Sequence, residues 1–284
     1  MNLSIIIVNW NVRDLLKKCL ESIYRETKDI SFEVFVIDNA SSDGSAEIVR
    51  ENFPEVKLIV NAKNEGFAKA NNQGIKESGG EYILLLNPDT EIFSNVFLKM
   101  IEVFKEDKKL GILGPKLLNP DKSLQSSIRR FPTLFSQTLI LLKIHHLLPD
   151  LKTFKKYFAR DFDYSREQSV DQVMGACFMV KRRMLEQIGF LDKKFYIWFE
   201  EVDYCKRAKK AGWNIAYTPN AEVIHYGGRS FQQKLSLEKQ KMFNKSLRYY
   251  FRKHHGFLSW LWLLLINPKS LALAWLAGKT KDSG

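Results

Sequence analysis

The sequence is poor in cysteine, and its three residues of that type (Cys19, Cys177, Cys205) lie far apart. That excludes a disulfide framework and any paired-thiol metal site, and it fits a reducing cytosol. No Gly-rich dinucleotide fingerprint follows the first apolar run, and no phosphate loop ending in Gly-Lys-Ser/Thr occurs. Simple dinucleotide-dehydrogenase and P-loop nucleotidase readings therefore fall away. The start, Met1-Asn2-Leu3-Ser4-Ile5, has neither a basic region nor a small-residue cleavage site, so no signal peptide is expected. An unbroken apolar run is also lacking. Residues 257–277 are interrupted by Asn267-Pro268-Lys269-Ser270, which leaves pieces of about ten and about seven residues against the roughly 20 of a spanning helix. An in-plane anchor is expected there, in preference to a single membrane span.

What is present is globular in proportion: 284 residues, 45% hydrophobic and 27% charged, enough for one large α/β domain with appendages or at most two domains. The formal charge of +12 is unevenly spread. Residues 1–128 carry 16 Lys and Arg against 19 Asp and Glu, whereas residues 129–284 carry 28 against 13. A basic back half calls for an anionic partner, a membrane surface or a polyanion. No nucleic-acid-reading module is evident, and basic residues interleaved with Tyr249, Tyr250 and Phe251, then Trp260, Trp262 and Trp275, suit a membrane surface. An amphipathic core helix is the plainer alternative.

Apolar runs at 3–8, 33–37, 57–60, 82–86 and 111–113 alternate with helical periods at 12–26, 45–52, 68–78 and 95–106. This predicts a mostly parallel central sheet with helices on both faces. Ligands of such sheets sit beyond the carboxyl ends of the strands. There the sequence places Asn9 and Asn11, Asp38-Asn39, Asn61 and Asn64, and Asn87-Pro88-Asp89. Turn and cap duties account for part of this list, and Asp43 is expected to cap the helix after Gly44. Residues 116–170 lose the alternation and read as a mobile or membrane-facing insertion. Residues 173–180 read as one buried strand, followed by a helix ending near Gly189. Then come Phe199-Glu200-Glu201-Val202-Asp203, with a helix expected over 202–211, and a late His225. Carboxylates with an imidazole and no thiol pair suit Mg²⁺ or Mn²⁺ held together with a diphosphate.

Several segments, in order over roughly 230 residues, carry a resemblance. They are Ile5-Ile6-Ile7-Val8-Asn9-Trp10-Asn11, Val36-Ile37-Asp38-Asn39-Ala40-Ser41-Ser42-Asp43-Gly44, Asn64-Glu65-Gly66-Phe67-Ala68, Leu85-Leu86-Asn87-Pro88-Asp89, Gly175-Ala176-Cys177-Phe178, Phe199-Glu200-Glu201-Val202-Asp203 and His225. Together they resemble the family 2 glycosyltransferases of GT-A fold, in particular the bacterial rhamnosyltransferase-like branch. The match runs out in the insertion and after about Arg252.

The resemblance implies an inverting, metal-dependent transfer from a nucleotide sugar, with dTDP-L-rhamnose the leading donor and a lipid-linked or cell-surface polysaccharide as acceptor. It implies a nucleotide-sugar site at Asn9, Asn11, Asp38, Asn64, Asn87 and Asp89, and a Mg²⁺ or Mn²⁺ on Asp89 and His225. Asn87 replaces the first acid of the family's Asp-x-Asp motif and weakens charge neutralisation there. Glu201 matches the second acid of the family's Glu-Asp pair and is the leading base, with Glu200 next; Asp203 is either part of this cluster or a helix-start acid. Trp198 and Phe199 line the acceptor site or pack in the core, and Arg229 clamps the diphosphate or belongs to a surface loop. The expected organisation is a catalytic domain at 1–230, with a nucleotide-sugar half at 1–115, the insertion at 129–165 and an acceptor half at 170–230. A basic, apolar, helical tail at 231–284 would hold the protein at the cytoplasmic face of the membrane. UDP-hexose or UDP-galactofuranose transfer is the alternative donor reading. A non-catalytic nucleotide- or polyanion-binding domain docked on a membrane is the alternative of another class.

Overall fold

The computed structural model describes residues 1–227 and 236–282. Its first part alternates β1 (Leu3–Asn9), α1 (Arg13–Glu26), β2 (Phe32–Asp38), α2 (Ser45–Asn52), β3 (Lys57–Val60), α3 (Phe67–Glu77) and β4 (Tyr82–Leu86). The four strands pair in parallel in the order β3-β2-β1-β4. Then follow β5 (Thr90–Glu91), α4 (Val96–Glu106) and β6 (Leu110–Leu118), the last longer than the 111–113 run had suggested.

Residues 116–170, expected as a mobile or membrane-facing insertion, carry short elements of their own. They form β7 (Leu124–Gln125), β8 (Ile128–Arg129), α5 (Leu134–Leu141), α6 (Ile144–Leu147), α7 (Lys152–Tyr157) and β9 (Gln168–Ser169). A capping box between Thr133 and Ser136 starts α5, and packing of Leu141 and Phe154 in the interior fixes the segment. The apolar run 173–180 is two strands instead of one. β10 (Gln172–Val173) pairs with β8 in a small separate sheet, and β11 (Cys177–Lys181) enters the main sheet antiparallel between β4 and β6. Then α8 (Arg182–Ile188), closed at Gly189 with φ +77°, leads to α9 (Glu200–Lys210) and the long strand β12 (Asn214–His225). The helix α9 starts two residues earlier than the expected 202, so Glu200 and Glu201 form its first turn.

The main sheet runs β3-β2-β1-β4-β11-β6-β12-β5, with β7 added beside β6 and β9 beside β12, and α helices against both faces. Alternation along β1 explains the layering. Ile5 and Ile7 face α1 and α4 in one core, whereas Ile6 and Val8 face α3, α8 and α9 in the other.

A third core joins the segment before and within α9 (Phe195, Phe199, Val202) to α10 (Ser236–His255) and α11 (Phe257–Asp282) through Leu247, Tyr250, Phe251, Leu263 and Ile266. The break expected at Asn267-Pro268-Lys269-Ser270 is absent, because α11 continues through Pro268. Proline removes one backbone donor, and Asn244 of α10 bridges the place by donating to Asn267 Oδ1 at 3.0 Å and Ser270 Oγ at 3.2 Å. Residues 257–276 are thereby one helix long and apolar enough, by length and composition, to cross a membrane.

Candidate active site

Since β1, β2, β3, β4, β6 and β12 all run the same way, their carboxyl ends share one edge of the sheet, and the reversed β11 begins at it. A cavity of about 420 Å³ opens there. It is lined by Val8 and Trp10 after β1, Asn39 and Asn64, Asn87-Pro88-Asp89 after β4, Met174-Gly175-Ala176 before β11, Tyr196-Ile197-Trp198, Glu200 and Glu201 of α9, and His225 at the end of β12. The chain between β10 and β11 is thus part of the cavity wall, and Asn87 N–H donates to Ala176 O at 2.9 Å to hold it.

Two clusters of chemistry meet in this cavity. The first is Asp89 with His225, both almost wholly buried, Nε2 lying 3.4 Å from Asp89 Oδ1. His225 Nδ1 lies 2.7 Å from Gln125 Oε1. An amide oxygen can only accept, so this bond assigns the proton to Nδ1 and turns the Nε2 lone pair toward Asp89. A lone pair facing a carboxylate oxygen is electrostatically unfavourable unless a cation or a proton lies between them. Asn87 Nδ2, 3.4 Å from Nε2, can donate to that lone pair, and the Asp89 carboxylate beside the imidazole fits a hard or borderline divalent ion. Among the described residues no group of three or more His, Cys, Asp or Glu is placed to hold a metal, so an ion on Asp89 and His225 would need further oxygens from a ligand.

The second cluster is Glu200 and Glu201. The Oε2 atom of each is buried without a hydrogen-bond partner among the described residues. Burial, reinforced by the neighbouring Glu201 carboxylate, pushes Glu200 well above its ordinary 4.5. Burial also raises Glu201. Their backbone is held from several sides. Trp198 and Phe199 take φ of +61° and +70°, a costly conformation for bulky residues that persists only when the surroundings fix it. Phe199 is locked between Phe243 and Tyr250, and Ser246 Oγ donates to Ile197 O at 2.7 Å. On the other side Phe67 N–H donates to Tyr196 O at 2.7 Å. Gly66, at φ +83°, leaves room for that oxygen, which would lie 2.6 Å from any Cβ added there.

The remaining expected site residues lie elsewhere. Asp38 is buried behind the cavity, its Oδ1 accepting from Asn9 Nδ2 at 3.1 Å and its Oδ2 from Ser41 N–H at 2.9 Å. Asn9 and Asp38 therefore brace the wall without lining it. Asn11, at φ +52°, accepts from Ser42 N–H and belongs to a separate shallow groove with Arg13 and Asp43. Asp43 does brace the residue after Gly44, through Ser45 N–H, and it also receives Arg13 N–H at the start of α1. Phe199 packs in the third core, so only Trp198 of the aromatic pair lines the cavity. Asp203 points away into a knot with Arg207, Lys253 and His254. Burial favours its neutral form, but hydrogen bonds from His254 and Lys253 and the Arg207 charge outweigh this and hold it at about 2. Its environment is that of a fixed structural anion, not of a proton acceptor. Arg229 lies outside the described residues. Sequence reasoning missed Tyr196 and Gln125; Trp10, directly after the first strand, carried a signal.

A family model described as Glycosyl transferase family 2 matches residues 4–189. N-acetylglucosaminyl-diphospho-decaprenol L-rhamnosyltransferase of Mycobacterium tuberculosis is 26% identical over 242 residues, covering 80% of this chain and 77% of its own. A dTDP-rhamnosyl transferase of Shigella flexneri is 26% identical over 231 residues, covering 79% and 69%. Among solved structures, a mannosyltransferase from Pyrobaculum calidifontis in complex with GDP-Man and Mn²⁺ superposes with a TM-score of 0.59 at 16% identity, covering 100% of this chain and 75% of that one.

Proposed function

This chain belongs to glycosyltransferase family 2, and from that premise we propose that it moves L-rhamnose from dTDP-L-rhamnose, with inversion, to a lipid-linked saccharide at the cytoplasmic face of a membrane. The observation that carries the mechanism is a single cavity holding both the Glu200–Glu201 pair, each with one buried oxygen lacking a hydrogen-bond partner among the described residues, and the Asp89–His225 pair. Two relatives named for rhamnosyl transfer support the sugar, and one of them, named for a decaprenol diphosphate, supports the acceptor.

In this reading the nucleoside lies against Trp10, Asn39 and Asn64, and Asn87 and Asp89 meet its diphosphate. Asp89 and His225 hold Mg²⁺ or Mn²⁺, which when bound supplies Lewis-acid stabilisation of the departing diphosphate. Inversion requires one base opposite the leaving group. Two carboxyls with unequal environments divide acid and base roles between them. The more deeply buried Glu200 keeps its proton, and the partly buried Glu201 accepts one from the acceptor hydroxyl. Trp198 offers an aromatic face to the acceptor sugar. Residues 1–115 then form the donor half, 170–227 the acceptor half, and 236–282 the membrane-associating part.

Thermal unfolding with dTDP, UDP and GDP, each with and without Mn²⁺, tests the donor. Ligand at about a hundred times its Kd adds roughly 2.7 kcal/mol, so the expected result is a Mn²⁺-dependent rise selective for dTDP. A UDP-selective rise discards rhamnose, and no rise with any nucleotide discards the donor site. Glu201→Gln should lower kcat by about 10² to 10⁴ while leaving that nucleotide shift intact.

A further inference from the structure

Most of the large apolar side chains that the described residues leave exposed fall in two segments, 135–151 and 257–276. Along α11 the two faces differ. Leu263, Ile266, Ser270 and Ala274 are buried at helical spacing. The opposite stripe, Leu258, Trp262, Leu265, Lys269, Ala272 and Leu276, is exposed and apolar but for one lysine. The segments are joined: α5 packs on α11, and Trp262 Nε1 donates to Thr138 Oγ1 at 2.9 Å. Phe135, three residues before Thr138 on α5, is exposed beside that link, and Leu147 and Leu148 are exposed at the end of α6.

We propose that the outer stripe of α11 and the apolar side chains of the 134–148 insertion form one docking face for an anionic bilayer, with α11 lying in the membrane plane. Charge selects this occupant. The hairpin α10–α11 carries nine Lys and Arg against two acids, a complement to anionic headgroups that a neutral protein partner would not supply. Lys269 reaches headgroup depth by extending its stem along the apolar face. An orientation across the bilayer is disfavoured by α10. That helix is tied along α11 through Asn244, Asn267 and Ser270, so a spanning α11 would draw its six Lys and Arg toward hydrocarbon. The same tie extends to the insertion, where Lys143 Nζ donates to Gln240 Oε1 at 2.8 Å.

The test uses the full chain and vesicles of phosphatidylcholine, alone or mixed with phosphatidylglycerol, so its readout is independent of sugar transfer. In the insertion, Phe135→Ser/Leu147→Ser/Leu148→Ser should lower partition onto mixed vesicles roughly tenfold or more, as should Leu258→Ser/Leu265→Ser in α11, with unchanged thermal midpoints. Unaltered partition of the insertion variant overturns the composite face. Equal binding of the native chain to neutral vesicles overturns the charge argument, and a lipid-free dimer dispersed by the same substitutions reassigns the face to self-association. Nitroxide labels at Leu258→Cys and Leu276→Cys, selective because the native thiols are buried, should report the same depth. A spanning helix would separate them by about 27 Å along its axis and overturn the in-plane orientation.

Discussion

At the scale of single residues, the buried Glu200 makes stability depend on pH. A carboxyl whose folded pKa lies above its unfolded value loses folded-state stability as pH rises through the interval between them. For Glu200 that loss begins near its ordinary 4.5 and is complete only above its raised folded value. Glu200→Gln should therefore raise the thermal midpoint above pH 7, by an increment of about 1–2 kcal/mol, and leave it unchanged at pH 4. The acidic limb of the kcat profile should stay in place, since Glu200 already holds its proton where Glu201 ionises and places no charge against it. A midpoint gain as large at pH 4 as at pH 8 would rule out the buried charge as its cause. Acids and amides at strand ends were legible because parallel sheets deliver their carboxyl ends to one edge. Gln125 was not, because its contact with His225 spans 100 positions and leaves no local pattern.

At the scale of elements, α9 matters most, because its first turn carries both cavity carboxylates and its fourth residue anchors the helix. Asp203 is fully buried and receives Arg207 Nε at 2.8 Å, Lys253 Nζ at 2.7 Å and His254 Nε2 at 2.7 Å. Its depressed pKa contributes stability that is complete above its unfolded value and is lost as pH falls from about 4 to about 2. Asp203→Asn should cost on the order of 3 kcal/mol at neutral pH, flatten the acid limb of urea-unfolding stability, and lower kcat more than it raises KM. Full stability in that variant would remove the clamp from the account. The alternating elements of residues 3–106 were readable because local period and crossover length agree. The start of α9 was not, because two consecutive positive φ angles defy local propensity and are held by Phe243 and Tyr250 from a distant helix. Likewise Pro268 reads as a break in isolation, and only packing against α10 shows the helix continuing.

At the scale of the whole molecule, the division expected at 230 does not separate two cores, because Phe195, Phe199 and Val202 share theirs with Leu247, Tyr250 and Leu263. A chain ended at Gly227 should therefore expose that apolar surface and leave Asp203 with Arg207 alone. Its soluble yield should collapse, and any soluble fraction should lack turnover; a truncated chain with native kcat would refute this. The shared core also bears on synthesis. A ribosome delivers the sheet first, and domains fold as they emerge. The strand ends can thus assemble while the residues that clamp the carboxylate helix are still unmade. The clamp on the carboxylate helix arrives with α10 and α11, the same helices whose outer face is proposed for lipid, so a growing chain would acquire its cavity geometry and that surface in one step.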